Sequence, residues 1–398
     1  MKKVFLTGII SLAAAMAFTS CAKDEILDSV PQQSAIEFST YLGRNAVSKG
    51  AITENEGFAQ FGVSAFYTKE KTWATAKADH TPNFMYNQEV NKSGNTWSYT
   101  PKKYWPATQG EMISFFAYAP MASNTNGIAI SANNVAGTPK ITYTIDAANL
   151  ENMADLVTDV IIDEKKVANS SLDDDNKDVS FKLNHELTRV NITAKLSADA
   201  FGGDAANKTK VNITNIELQG AGFATKGIYT FADANDASAD NVTRGTWEIT
   251  GNSSLDIFDD TDANFINHAV DTDLNVAGYT TSGVAVPTTA PVSLFKTDQY
   301  LFLIPANGTT GIDANSKVEL VISYDIVTID TNLAAGYSIS QAKKIVEVPA
   351  AGLKQGVAYN FALTFGLNEV VLSATVADWE EAGNDLTGDV DYPKEDAQ

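Results

Sequence analysis

The 398-residue chain has one cysteine, three arginines and three histidines. Apart from Cys21 the body carries no thiol, which excludes disulfides, a cysteine nucleophile and thiolate metal sites. The histidines, His80, His185 and His268, are far apart in sequence. His185-Glu186-Leu187-Thr188-Arg189 opens like a zinc-protease helix, but Arg189 stands where the second histidine belongs and the surrounding pattern is that of a strand. His185 is therefore read as structural. A Gly-x-Ser-x-Gly elbow, a phosphate-binding Walker loop and a dinucleotide fingerprint are all missing. Gly220-Ala221-Gly222-Phe223 lacks the third glycine and any following helical pattern. Asp271-Thr272-Asp273-Leu274-Asn275 alternates oxygen donors as calcium loops do. Val276, however, takes the place of the turn glycine and Ser282 that of the bidentate glutamate. Solvated acidic loops are the better reading, with adventitious calcium as the alternative. The sequence thus predicts no enzyme, no cofactor and no metal.

Positive charge is also scarce. The formal net charge is −21, which makes nucleic acid and anionic membranes poor partners. Its ordinary consequence is colloidal solubility outside the cell.

The chain also lacks helical periodicity: no stretch keeps a 3.6-residue repeat over three turns. A period of two recurs instead. Ile36, Phe38, Thr40 and Leu42 share one face. Val318, Leu320, Ile322, Tyr324 and Ile326 oppose Glu319, Ser323 and Asp325. Tyr359, Phe361, Leu363 and Phe365 repeat the pattern, as do Leu372, Ala374 and Val376. Such alternation predicts an all-β protein of antiparallel strands with one buried face. One segment changes phase: Val179, Phe181, Leu183 and Leu187 are odd-numbered, whereas Val190, Ile192, Ala194 and Leu196 are even. A bulge or tight turn near Thr188-Arg189 would absorb the extra residue.

The first residues read as an address. Lys2 and Lys3 precede an apolar run over 4–17, and Phe18-Thr19-Ser20-Cys21 follows, which is a secretory signal with its processing site. The run is short for a bilayer span of about 20 residues. The site resembles the bacterial lipobox, which implies acylation of Cys21. Lys23-Asp24-Glu25 resembles the charged signal that sends lipoproteins to the outer face of the outer membrane. The expected organisation is a signal peptide at 1–20, a tether at 21–33, β-sandwich domains at 34–170 and 171–380, and an acidic tail at 381–398. The polar stretch around 163–178 marks the division.

Trp97-Ser98-Tyr99-Thr100-Pro101-Lys102-Lys103-Tyr104-Trp105-Pro106 is followed by Ile113-Ser114-Phe115-Phe116-Ala117-Tyr118-Ala119-Pro120. Together they resemble the fimbrillin-like family of Bacteroidales, the major, minor and anchoring subunits of type V pili. Phe61-Gly62-Val63-Ser64-Ala65-Phe66, Ala154-Asp155-Leu156-Val157, the segment from Val179 to Leu187, Gly356 to Phe361 and Val376-Ala377-Asp378-Trp379 agree in order. Read physically, Tyr104 and Trp105 beside Pro106 form a corner whose rings can cap a core.

The resemblance implies two transthyretin-like antiparallel β-sandwich domains and a role in a surface filament or adhesin. It implies a lipoprotein precursor whose first strand is removed by a trypsin-like protease and replaced by a neighbour's strand. Carried onto this chain, the displaced strand is Ile36, Phe38, Thr40 and Leu42, and the cleavage site is Arg44. The donated strand is Val370, Leu372, Ala374 and Val376. The acidic tail after it, with Gly383, Gly388 and Pro393, is poor material for a ladder, so a tip or accessory role fits as well as a stalk role. Implied partners are other fimbrial subunits, the protease, the outer-membrane lipid anchor and host or bacterial surface ligands, with no nucleic acid. The alternative is a permanently lipidated glycan-binding surface protein, with Trp73, Trp97 and Trp247 as candidate platforms.

Overall fold

The computed structural model describes residues 34–42, 59–94, 96–165, 178–201, 208–237, 242–251, 254–258, 266, 274, 276–287, 290–305, 309–310, 317–348, 353–366 and 369–377. Cys21, Arg44, Trp379 and the acidic tail lie outside them.

The first strands are β1 (Glu37–Leu42), β2 (Gln60–Lys69), β3 (Met85–Ser93), β4 (Thr96–Ser98) and β5 (Met112–Ala119). They are followed by β6 (Ile128–Ile130), β7 (Lys140–Thr144), β8 (Val157–Lys165), β9 (Asp178–His185) and β10 (Thr188–Leu196). Next come β11 (Thr209–Gln219), β12 (Lys226–Thr230), β13 (Thr246–Ile249), β14 (Ser254–Phe258), β15 (Val284–Ala285) and β16 (Val292–Ser293). The last are β17 (Leu301–Leu303), β18 (Thr309–Thr310), β19 (Val318–Ile329), β20 (Tyr337–Val348), β21 (Ala358–Phe365) and β22 (Val370–Ala377). The described α-helices are single turns, Trp73–Ala76 and Ala198–Phe201.

Seven strands form the first sheet, in the order β1-β9-β8-β5-β2-β3-β4. Its centre, β5, does not alternate: all eight residues are buried, as expected of a strand covered on both faces. Ile113, Phe115, Ala117 and Ala119 enter one core, while Phe116 and Tyr118 enter another. The second core continues through β6, β7, β12 and β13 into a sandwich made by two further sheets. These run β16-β10-β21-β22 and β14-β11-β19-β20. Tyr324 of β19 meets Phe365 of β21 edge to face at 5.1 Å, joining those two layers.

The protein is all-β, and its sheets are mixed rather than purely antiparallel. β1 runs parallel to β9, β10 to β21, and β13 to β18. The sheets also cross the division expected at residue 170. β9 completes the first sheet, whereas β6 and β7 share a sheet with β12, β13 and β18. A polar stretch reports exposure to water; it does not determine which sheet the next strand joins.

The phase change at 179–196 is not a bulge but a tight two-residue bend that changes sheets. β9 ends at His185 in the first sheet, and β10 starts at Thr188 in another. The chain switches layers across Glu186-Leu187, so inward positions are reset at a corner. In β19, Val318, Leu320, Ile322 and Tyr324 point into the core as expected. Asp325, expected to face water, is buried because Leu274, Val276 and Tyr279 cover that side with Val327. Tyr279 donates its hydroxyl to Asp325 Oδ2 at 2.9 Å and accepts Asn212 Nδ2 at 2.9 Å.

Candidate functional site

β1 follows from its own sequence. Alternation places Ile36 and Phe38 on one face, and both are buried, while Glu37 is exposed. On one side the strand pairs with β9, from Glu37 opposite Asp178 to Leu42 opposite Leu183. On the other side only its beginning is held. The Ile36 amide donates to Lys103 O at 2.9 Å, and the Trp105 amide donates to Ser34 O at 3.0 Å. The Tyr99 hydroxyl donates to Ile36 O at 2.8 Å. Burial pushes this hydroxyl above the usual tyrosine range, against the Lys103 backbone hydrogen bond that lowers it.

The Phe38 ring is enclosed by four others: Tyr99 at 5.2 Å, Phe181 at 5.8 Å, Phe115 at 5.9 Å and Phe61 at 6.2 Å. Trp105 closes the same core, edge to face with Phe115 at 6.0 Å. Tyr104, expected to cap it too, is 49% exposed. The backbone bridge of Tyr104 to Ala35 turns that side chain outward. Fully burying an Ile and a Phe contributes about 3–6 kcal/mol gross. A six-residue strand and the residue before it thus supply a substantial part of one core while remaining at a sheet edge.

The other sites named from sequence fall as follows. Thr40 lies opposite Phe181 in register, and Leu42 opposite Leu183. Val370, Leu372, Ala374 and Val376 belong to β22, an edge strand paired with β21 along its whole length. Val370 is buried, Leu372 and Ala374 are partly buried against the core, and Val376 is exposed. Trp73 and Trp247 are buried in the larger core and Trp97 is partly buried against the smaller one, edge to face with Phe61 at 4.9 Å. Two of the three candidate glycan platforms are therefore core residues.

A second constellation was not visible as a unit in the sequence. At the corner between β9 and β10, the buried Glu186 carboxylate accepts Thr158 Oγ1 at 2.8 Å and the Gln355 amide. Arg244 Nη1 lies 3.6 Å from Glu186 Oε2 and donates to His185 O. The Trp247 indole donates to Glu186 O at 2.9 Å. His185 Nδ1 sits 2.8 Å from Asp155 Oδ2. Arg189, also buried, lies with its guanidinium 4.5 Å from the Tyr300 ring centroid. Burial pushes the Glu186 carboxyl up to about 7, against Arg244, Thr158, Gln355 and Tyr229, which all favour its ionised form. The available signal was the scarcity of arginine, since of the three Arg189 lies within a strand and Arg244 at a strand entry.

Among the described residues no group of three His, Cys, Asp or Glu side chains is placed to hold a metal, and no helix is long and apolar enough to cross a membrane. Layered sheets around aromatic cores, one of them completed by the first described strand, define an all-β protein of the β-sandwich class. The chain belongs to the fimbrillin-like family, whose model matches residues 47–379. It is 29% identical to the fimbrium subunit Fim1C of Phocaeicola vulgatus, over 95% of this chain and 96% of that one. A crystal structure of a fimbrial protein from Bacteroides vulgatus superposes with a TM-score of 0.65 at 27% identity, covering 87% of this chain and 99% of that one. The family and these relatives are fimbrial, which implies a place at the cell surface.

Proposed function

We propose that the chain is a fimbrial subunit or accessory adhesin, exported as a lipoprotein through Cys21 and assembled by strand exchange at the β1 groove. A trypsin-like cut after Arg44 would release lipid and β1 together from the outer membrane, and an extended segment of another fimbrial subunit would take the vacated place. The observation that carries this reading is the seating of Ile36 and Phe38 in a core that the strand shares with β9 and the 99–105 segment. Backbone pairing would set the register, and alternate side chains would fill the pockets.

Two further facts support it. The family match opens at residue 47, beyond β1 and Arg44. Arg189 lies within β10 and Arg244 holds Glu186, so a cut at either would sever the folded body. A cut at Arg44 would remove only what precedes it. Donation of 370–376 is a costlier event, because β22 is fully paired and its departure would uncover β21. We therefore assign the chain first as an acceptor, at a tip or accessory position. The glycan-binding alternative gains nothing from Trp73 and Trp247, which lie in the core.

The test is N-terminal sequencing of protein sheared from cells. A start at Asn45 is the expected result. A start at Cys21 would sink the cleavage step and leave a permanently anchored lipoprotein.

A further inference from the structure

The inward stripe of β1 has a flaw in its third position. Ile36 and Phe38 are apolar and buried, and Thr40, a partly buried residue, follows them by the same alternation. Thr40 pairs in register with Phe181 of β9, whose ring lies in the smaller core with Phe61, Phe115 and Leu183. Its Oγ1 is shielded from solvent and has no hydrogen-bond partner among the described residues. A hydroxyl so placed has lost its water and gained nothing in exchange, which is a recognised destabilising arrangement. A β-branched side chain bearing a methyl in place of the hydroxyl would keep the shape and remove the penalty.

We propose that Thr40 is a specificity-determining residue of the exchange, making the resident strand the weaker occupant of its own groove. The partner this surface fits is an extended strand with three alternating apolar side chains, the third of them aliphatic where the resident strand carries threonine. Ile36 and Phe38 hold β1 well enough to complete the fold during export. Thr40 keeps it displaceable once Arg44 is cut. The inference rests on the reading that β1 is exchanged, and it adds which pocket biases the outcome.

The test uses the full chain cut with an arginine-specific protease, together with fluorescent peptides spanning residues 34–44. One peptide has the native sequence, one carries T40V and one T40S. Anisotropy and displacement half-time are read for each. The T40V peptide is expected to bind about tenfold more tightly than the native one, and the T40S peptide no more tightly than native. In the uncut chain, T40V is expected to shift the unfolding equilibrium towards the folded state by a similar factor. Native and T40V peptides that both bind with equal affinity would overturn the role of Thr40 and leave strand exchange standing. If neither peptide enters the cut protein, exchange itself fails, and this inference with it. An unchanged stability of the uncut T40V chain would also count against it, independently of any exchange.

Discussion

Replacing Phe38 by alanine is expected to destabilise the uncut chain by about 3–5 kcal/mol, the range for removing a large buried aromatic. The ring is enclosed by Tyr99, Phe61, Phe115 and Phe181. Little collapse into the void is available, because those neighbours are fixed on β2, β5 and β9 and in the 99–105 segment. Glu37→Ala, at an exposed position on the opposite face, should change stability by less than about 0.5 kcal/mol. Urea unfolding of both variants checks the pair. A loss below about 1 kcal/mol for Phe38→Ala would mean that β1 does not complete the core in solution. The same substitution is expected to speed departure of the strand after cleavage, because it removes the largest anchor and leaves the ladder to β9 intact.

The second large effect is a dependence of stability on pH centred on Glu186. Its folded pKa, about 7, lies above the ordinary value of 4.5 because the carboxyl is buried. Between those values the folded chain keeps a proton that the unfolded chain has released. Stability therefore falls as pH rises through that window, and the loss is complete above the folded pKa. The size is on the order of 3 kcal/mol. Asp159 acts in the same direction: burial raises it from 3.8 to about 7, although it accepts the Lys182 amide at 2.7 Å. The protein should thus be more stable near pH 5 than near pH 8. Glu186→Gln, which keeps a neutral acceptor for Thr158, is expected to flatten the profile by matching the native chain at pH 5 and exceeding it at pH 8. Denaturant titrations at the two pH values decide this. A native chain equally stable at both would mean that the corner is wetter than its geometry implies.

The two constellations differ in how far they could be read from residue order. The β1 stripe was legible because alternation is a property of consecutive residues, and Ile36 and Phe38 declare an inward face without reference to the rest of the chain. Its surroundings were not. Phe181 and Tyr99 reach Phe38 from far along the chain, and the clamp at 103–105 is a backbone contact that side-chain patterns do not encode. Trp73 and Trp247 show the reverse error. Tryptophan near patterned strand suits a binding platform and a core equally well, and burial alone separates the two. Asp325 looked solvent-facing because β19 alternates cleanly, but a distant segment brings Tyr279 over that face.

Glu186 and Arg244 illustrate the limit most clearly. Each is an ordinary charged residue in the sequence, and their encounter depends on β9 leaving one sheet at the point where β10 enters another. The shift of apolar positions from odd to even numbers recorded that something happens near Thr188. A bulge and a change of sheet produce the same shift, so the pattern could not distinguish them.

By itself the sequence determined the all-β class, the cleanly alternating strands such as β19 and β21, the inward face of β1 and the family, because these depend on local periodicity and on ordered short motifs. Only the tertiary structure decided which strands are neighbours, that sheets cross residue 170, that three strand pairs run parallel, and that a buried ionic corner joins the layers. Those outcomes arise from contacts between residues far apart in the chain. Their free energy depends on what each side chain meets after folding, and a pattern of alternation carries no record of that.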